Sequence, residues 1–408
     1  MKTNLSPTQT QDRIIILDIY RGFAIFGILI VNMMWFNSPI TSLISANSIW
    51  TGPADIVTRF LITFFFEGKF YVLFSMLFGY GFWLFMNKES SGRQSISGTY
   101  ARRLLILLFI GIIHVLFFWP GDILVFYALL GFVLMLFRKA KNRTLIIWAV
   151  VFLMIPVFFL GLAVLISLVP EAKQAMDVAM QEQDRIFVAM IERTLTVYQE
   201  GSFFEIVRMR FEEYTFVLSG VLFFHVNIIA MFLLGQYAAR KGYIQNVKGN
   251  LPFFRRLCMW GFIIGIPANL FTAWASIYAD IYNPNPTALA AIFVSSFGGP
   301  ALTLAYVSGL AILLQKAYLV RMSRWFAAVG RMALTNYLLH SIIASFIFMN
   351  YGLGLYGKVA PWQGLILVFI IYGLQIPFSI HWLKRYRFGP VEWLWRSLTY
   401  MKWQKLKR

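Results

Sequence analysis

One cysteine, Cys258, in 408 residues excludes an internal disulfide and any cysteine-rich metal centre. Charge is scarce as well. Only 13% of the residues are charged, against 59% hydrophobic and 18% aromatic, too little polar surface to clothe a soluble globule of this size. Acids are rarer than bases, 17 against 36, and the formal net charge is +19. In a soluble chain that excess would point to nucleic acid. Here the Lys and Arg residues fall in alternate short loops between apolar runs, the positive-inside pattern of a membrane protein, so the expected partner is the lipid bilayer and not nucleic acid. The chain also lacks a Walker loop, a Rossmann glycine pattern and an H-E-x-x-H sequence, which removes nucleotide motors, dinucleotide enzymes and zinc proteases; no metal site is expected.

What is present is a series of long apolar runs. Ten are long enough to cross roughly 30 Å of hydrocarbon as helices: 14–36, 68–86, 102–119, 122–137, 145–169, 214–238, 257–279, 287–315, 331–350 and 364–383. The first contains Asp18 and Arg21 and exceeds the apolar core of a signal peptide, so it is expected to be a retained span. This spacing predicts an all-α polytopic membrane protein of about ten helices forming a single domain over 1–408. Lys88, Arg93, Arg102, Arg103, the runs 138–143 and 240–256, Arg321, Arg324 and the tail 384–408 fall on one side, the cytoplasm, which also receives both termini. The opposite side takes the uncharged loop 37–54 and the segment 171–213. In that segment Ile186, Met190, Leu195, Phe203 and Val207 recur at helical spacing, which predicts one or two amphipathic helices on the extracytoplasmic face. Residues 53–66 are expected to form a separate interfacial helix that brings Glu67 and Lys69 to the outer end of the second span, within reach of water.

Few residues inside these spans can carry chemistry. Asp18, Arg21 and Asn32 share one stripe of the first helix, the charged pair inward and the asparagine outward; such groups face a protein interior or a water-filled cavity, or else form a helix-end salt bridge. Of the four histidines, His114 lies about two turns before Asp122 near the outer ends of spans, and an imidazole polarised by a carboxylate is a general base for a hydroxyl. Asp122 after Pro120-Gly121 is equally placed to cap the next helix. Glu67 would complete an acidic cluster with His114 and Asp122, while Lys69 or Asn32 could steady an oxyanion. Asn336 and His340 stand at i, i+4 on the ninth span, suited to substrate or to helix-to-helix hydrogen bonds. Gly265-Ile266-Pro267 and Gly298-Gly299-Pro300 could break adjacent spans, as in the discontinuous helices of transporters.

Four strings carry a resemblance. HVLFFWPGDILVFYALLG (114–131), EGKFYVLFSMLFG (67–79), GRMALTNYLLHS (330–341) and FGPVEWLWRSLTY (388–400) resemble the YeiB-like family of bacterial polytopic membrane proteins, two of them within the half 214–408. That family's pattern more often carries glutamine where His340 stands, which favours hydrogen bonding over obligatory proton transfer there. The Trp residues and Arg396 of the last string are expected along the inner headgroup layer. The opening pattern R-x4-D-x2-R-G-x-A, Arg13 to Ala24, is similar to the first helix of transmembrane acyltransferases such as heparan-α-glucosaminide acetyltransferase and, more distantly, the polysaccharide O-acyltransferases of bacteria. That resemblance implies transfer of an acyl group from acyl-CoA, a co-substrate and not a resident cofactor, to an extracytoplasmic hydroxyl or amine of a small molecule or glycan. Arg102 and Arg103 would then hold the donor's phosphates. Loop 37–54 lacks the histidine which that enzyme is thought to use, so an acyl-histidine route does not carry over.

The expectation is therefore a membrane-embedded acyltransferase of the bacterial cytoplasmic membrane, with His114, Asp122 and Glu67 reacting and Asp18, Arg21, Asn32, Lys69, Arg102, Arg103, Asn336 and His340 contacting substrates. A small-metabolite transporter and a non-catalytic scaffold or sensor are the alternatives, and association of identical copies stays open.

Overall fold

The computed structural model describes residues 14–87, 95–316 and 319–408; Arg13, Lys88 and Arg93, and the side chain of Arg321, lie outside it. The described chain is helical, with no strand beyond an isolated bridge between Tyr386 and Lys407. Helices α1 (Ile15–Phe36), α2 (Ile40–Leu43), α3 (Pro53–Phe65), α4 (Phe70–Met86), α5 (Ile96–Phe117), α6 (Leu124–Leu136) and α7 (Asn142–Ile166) are followed by α8 (Pro170–Glu200), α9 (Phe203–Lys241), α10 (Leu251–Tyr278) and α11 (Pro286–Leu313), and finally by α12 (Leu319–Arg331), α13 (Ala333–Phe348), α14 (Pro361–Arg385) and α15 (Pro390–Tyr400).

Among the described residues, seven segments are long and apolar enough to cross a membrane: α1, the α3–α4 stretch Pro53–Met86, α5, α7, α10, α11 and α14. The apolar helices α6 and α13 are shorter, and α9 runs for 39 residues. The outward faces fit lipid. On α7, Phe158, Phe159, Leu162 and Leu165 are exposed while Leu145, Ala149, Leu153 and Val164 are buried. An exposed apolar band of this kind would precipitate a soluble protein. The chain is thus a multi-pass, all-α membrane protein.

Between spans the structure follows some sequence expectations and departs from others. The stretch 53–86 is two helices, parted at Gly68, whose φ of +80° favours a residue without Cβ. Residues 170–213 form α8 and the first turns of α9, joined through a capping box in which Ser202 and Glu205 satisfy each other's backbone N–H groups; those hydrogen bonds hold the Glu205 carboxyl below its usual range. The buried face of α8 is Ile191, Thr194 and Tyr198; of the expected apolar stripe, Ile186 on α8 and Phe203 at the start of α9 are exposed. The stretch before α13, expected to be a loop, is the helix α12, which crosses α1 closely: a methyl on Gly22 would collide with the Phe326 carbonyl, and one on Gly330 with that of Asp18. Arg102 and Arg103 belong to the second turn of α5 and do not flank it.

Helix contacts depend on small residues. Gly79 of α4 meets the Phe232 backbone of α9, and Gly235 of α9 meets the Met76 backbone of α4, so the two helices touch backbone to backbone. Helices α10 and α11 are continuous through Pro267 and Pro300. Gly261, Gly265 and Gly298 pack there against Ala305, Leu302 and Ala268, and the Asn269 amide donates to the carbonyls of Gly265 (2.7 Å) and Gly298 (2.8 Å). The glycine–proline motifs are therefore a packing seam and not the breaks of discontinuous helices.

Candidate functional site

A cavity of about 790 Å³ runs inside the bundle along α1, from Ile14 to Trp35 and on to Ile40 and Ile44. The stripe of α1 that faces it reads Asp18, Arg21, Ile25, Ile28, Asn32 and Trp35, spaced by three and four as one helix face demands. Asp18 and Asn32 are 14 residues apart, about 21 Å along the helix at 1.5 Å per residue, and mark opposite ends. Helix α4 runs the other way, so Glu67, just before it, joins the Asn32 end and Phe85 joins the Asp18 end. Ile25, Ile28, Phe70, Phe74 and Leu77 make the middle apolar.

One end is cationic. Arg21, Arg103, Arg331 and Arg396 line it together with the acids Asp18 and Glu392. Arg21 Nη1 donates to Asp18 Oδ1 at 2.9 Å. The Arg103 guanidinium lies 3.7 Å over the Trp395 ring, whose Nε1 donates to the Arg103 carbonyl at 2.9 Å, fastening α15 to α5. Glu392 accepts from the N–H groups of Leu334 (2.7 Å) and Thr335 (3.0 Å) and from the Thr335 hydroxyl (2.5 Å), which caps α13; burial nonetheless pushes its carboxyl up. Burial likewise raises the Tyr400 phenol, against the pull of the Arg103 and Arg396 guanidiniums beside it. Arg396 is thus a cavity residue, although the sequence reading set it in the headgroup layer with its neighbouring Trp residues.

The other end is lined by Asn32, Trp35, Glu67, Trp119, Asp122 and His225. Asp122 sits in the short connection between α5 and α6. Its Oδ1 accepts from the Val125 N–H (2.8 Å) at the start of α6, and its Oδ2 lies 2.7 Å from His114 Nδ1. Capping and histidine bonding therefore coexist. Gly111, one turn before His114, permits the approach, since any side chain there would press on Val125 and on Asp122 Oδ1. With Nδ1–H directed at a carboxylate, the neutral imidazole keeps its lone pair on Nε2, a buried atom with no hydrogen-bond partner among the described residues. The imidazole itself does not line the cavity. Its neighbours Trp119 and Tyr337 do, with ring centroids 6.4 and 5.3 Å away, so His114 stands behind that wall.

Of the residues singled out in the sequence, Asp18, Arg21, Asn32, Glu67, Arg103 and Asp122 share this one cavity, and His114 joins it through Asp122. Besides His114, four do not line it. Lys69 is 2% exposed, out of reach of the water expected around it, and its Nζ donates to the Thr63 carbonyl (2.6 Å) at the C-terminal turn of α3. The Thr63 hydroxyl donates to Glu67 Oε2 (2.7 Å), so the two charges meet at one residue instead of having separate partners. Arg102 donates to the Thr399 carbonyl of α15 (3.0 Å). Asn336 and His340, offered as substrate contacts, bind α14: Asn336 Nδ2 donates to Ser379 Oγ (3.1 Å) and His340 Nε2 lies 2.8 Å from Gln375 Oε1. His225 stacks on Phe126 with centroids 3.6 Å apart.

Sequence reasoning missed Arg331 and Glu392, which stand in the quoted strings 330–341 and 388–400, because a charge near a span end reads as ordinary flanking. It also missed Arg210 and Glu213. Arg210 is fully buried; it donates to the Phe117 carbonyl (2.6 Å), Tyr351 Oη (3.0 Å) and Ser345 Oγ (3.2 Å). Glu213 accepts from Tyr198 Oη (2.6 Å) and the Ile40 N–H (3.1 Å). The signal was two charges three residues apart on a helix otherwise amphipathic.

Fold and site together define a polytopic helical membrane protein that encloses a cavity cationic at one end and acidic at the other. The chain belongs to the YeiB-like family. Residues 238–402 match the family described as Protein of unknown function (DUF418). The chain is 36% identical to the uncharacterized protein YxaH of Bacillus subtilis (strain 168), over all of this chain and 99% of that one. It is 29% identical to the uncharacterized protein YeiB of Escherichia coli (strain K12), over 95% and 96% of the two chains, and 28% identical to an uncharacterized 39.9 kDa protein of Bacillus acidopullulyticus, over 97% and 96%. No solved structure matches the chain.

Proposed function

We propose that this protein is an acyltransferase of the bacterial cytoplasmic membrane that moves an acyl group from a cytoplasmic acyl-CoA-type donor to a hydroxyl or amine acceptor, small molecule or glycan, on the far side. The observation that carries the reading is the single cavity whose cationic and acidic ends lie about 21 Å apart along α1. In this reading the donor enters at the end holding Asp18, Arg21 and Arg103, and its acyl arm lies along Ile25, Ile28, Phe70 and Phe74. The acceptor enters at the end holding Asn32, Glu67 and Asp122. His114, held in one tautomer by Asp122, takes the proton of the acceptor hydroxyl once Trp119 or Tyr337 swings aside. The freed oxygen bonds to the acyl carbon, the carbon–sulfur bond breaks, and the departing thiolate takes up the proton. Asn32 steadies the oxygen that carries the transient negative charge.

The test is turnover of acetyl-CoA and longer acyl-CoAs by the purified protein in lipid nanodiscs, following free thiol and protein mass together. Saturable thiol release that is abolished in a folded His114→Ala variant is the expected result. Full release by that variant removes His114 as the base. Saturable binding without release in the presence of acceptors turns the reading to carriage of an amphiphilic anion, and uptake into sealed vesicles then replaces turnover as the assay.

A further inference from the structure

We infer that the cationic end of the cavity is a phosphate-ester site completed by Arg331 and Arg396, two residues contributed by the C-terminal third of the chain. As the donor's docking point it rests on the acyl-transfer reading; as a phosphate site it does not. Four guanidinium groups from four helices line this one end: Arg21 on α1, Arg103 on α5, Arg331 at the end of α12 and Arg396 on α15. Two carboxylates share it, and both are engaged, Asp18 with Arg21 at 2.9 Å and Glu392 with the first turn of α13. Among the described residues, four positive and two negative charges line this end. Like charges drawn into a partly dehydrated cavity repel one another, and a doubly charged anion relieves the repulsion where a neutral ligand does not.

The chemistry of the cations narrows the anion. A guanidinium offers a planar fork that matches two oxygens of a phosphate, and it does not lose its proton on burial. The groups are also held in place: Arg103 lies flat on Trp395, Arg396 lies 4.9 Å over the Phe388 ring, and Arg331 Nη2 donates to the Arg387 carbonyl at 3.4 Å. Ordinary flanking arginines extend toward headgroups, whereas these line an interior space that continues into apolar walls. The ligand class is therefore an amphiphile with a phosphate ester at one end and an extended apolar or thioester arm. A soluble nucleotide thioester and an anionic phospholipid both meet that description, and each is an arm of the test.

The experiment uses the full chain in phosphatidylcholine nanodiscs, with coenzyme A titrated against the tryptophan emission to which Trp395 contributes and with ligand retention followed by native mass spectrometry. In a second arm the discs contain phosphatidylglycerol and retained lipid is weighed in the same way. The Arg331→Gln/Arg396→Gln variant should bind whichever probe occupies the site about tenfold more weakly or worse. Arg208→Gln, at an exposed arginine outside the cavity, should bind as the parent does. Melting and size-exclusion profiles matching the parent establish that the double variant folds; should it not, Arg396→Gln alone serves. Loss of coenzyme A assigns a nucleotide head, and loss of phosphatidylglycerol alone assigns a lipid head. Failure of both probes to bind the folded parent, or binding unchanged in the variants, overturns the site. Probe binding that the arginine variants lose, with no thiol released from acyl-CoA, keeps the site and removes acyl transfer.

Discussion

The polar residues that face the cavity and those sealed in the helix seams are of the same types but have opposite consequences. Arg210 spends its guanidinium on Phe117, Ser345 and Tyr351 and lies at zero exposure; Arg103 presents its guanidinium to an open space. His340 is bonded to Gln375 and His114 to Asp122, and each keeps its other ring nitrogen without a hydrogen-bond partner among the described residues; only His114 is joined through its partner to the cavity. The difference teaches that a charge in a membrane span is no guide to function until its surroundings are known. Sealed groups bind helices together, and their loss leaves a partner stranded in a low dielectric. Cavity groups that cap no helix, such as Asn32, support little of the fold, so their loss falls on ligands.

This contrast can be broken from the sealed side first. Arg210→Met leaves the Phe117 carbonyl and two hydroxyls without their donor, and it should cost about 3–5 kcal/mol, read as a large drop in melting temperature or a failure to purify as a single species. A melting curve like that of the parent would mean that the network does not hold the ends of α5 and α13. Gly235→Ala should cost about 1–3 kcal/mol, because its methyl meets the Met76 carbonyl and the crossing of α4 and α9 must open. Gly81→Ala, on the same α4 but with nothing within 4 Å of its added methyl, should be neutral or stabilising by up to about 1 kcal/mol. Equal effects at the two glycines would remove close packing as the cause. The smallest change in stability is expected on the cavity side: Asn32→Ala should stay within about 0.5 kcal/mol of the parent while lowering the proposed acyl transfer to the acceptor. A marked loss of stability there would move Asn32 into the sealed group.

The legibility of each feature follows the same division. Each expected apolar run falls mainly on one helix, and seven segments among the described residues are long and apolar enough to cross, since hydrocarbon demands an unbroken stretch whose backbone satisfies its own hydrogen bonds. The stripe Asp18, Arg21 and Asn32 was legible because helical spacing alone assigns residues to a face. Helix α12 was not, because its apolar face packs on α1 and its sequence is too short and too charged to read as a span. Nor was the fate of Lys69 and Arg102: each ends on a backbone carbonyl of another helix, Thr63 across the Gly68 turn and Thr399 297 residues away, and no spacing rule names either partner.

By itself, then, the sequence determined that this is an α-helical multi-pass membrane protein, where its long apolar helices run and which few polar residues lie within them. These properties follow from composition and from local periodicity. The tertiary structure alone decided which of those residues meet. It set Arg331, Glu392 and Arg396 from the end of the chain beside Arg21 and Arg103 from its beginning, placed Asp122 against His114, and sealed Arg210 and His340 away. Convergence in space depends on how helix faces pack, and packing is a property of pairs of helices, which the order of residues along one chain does not state.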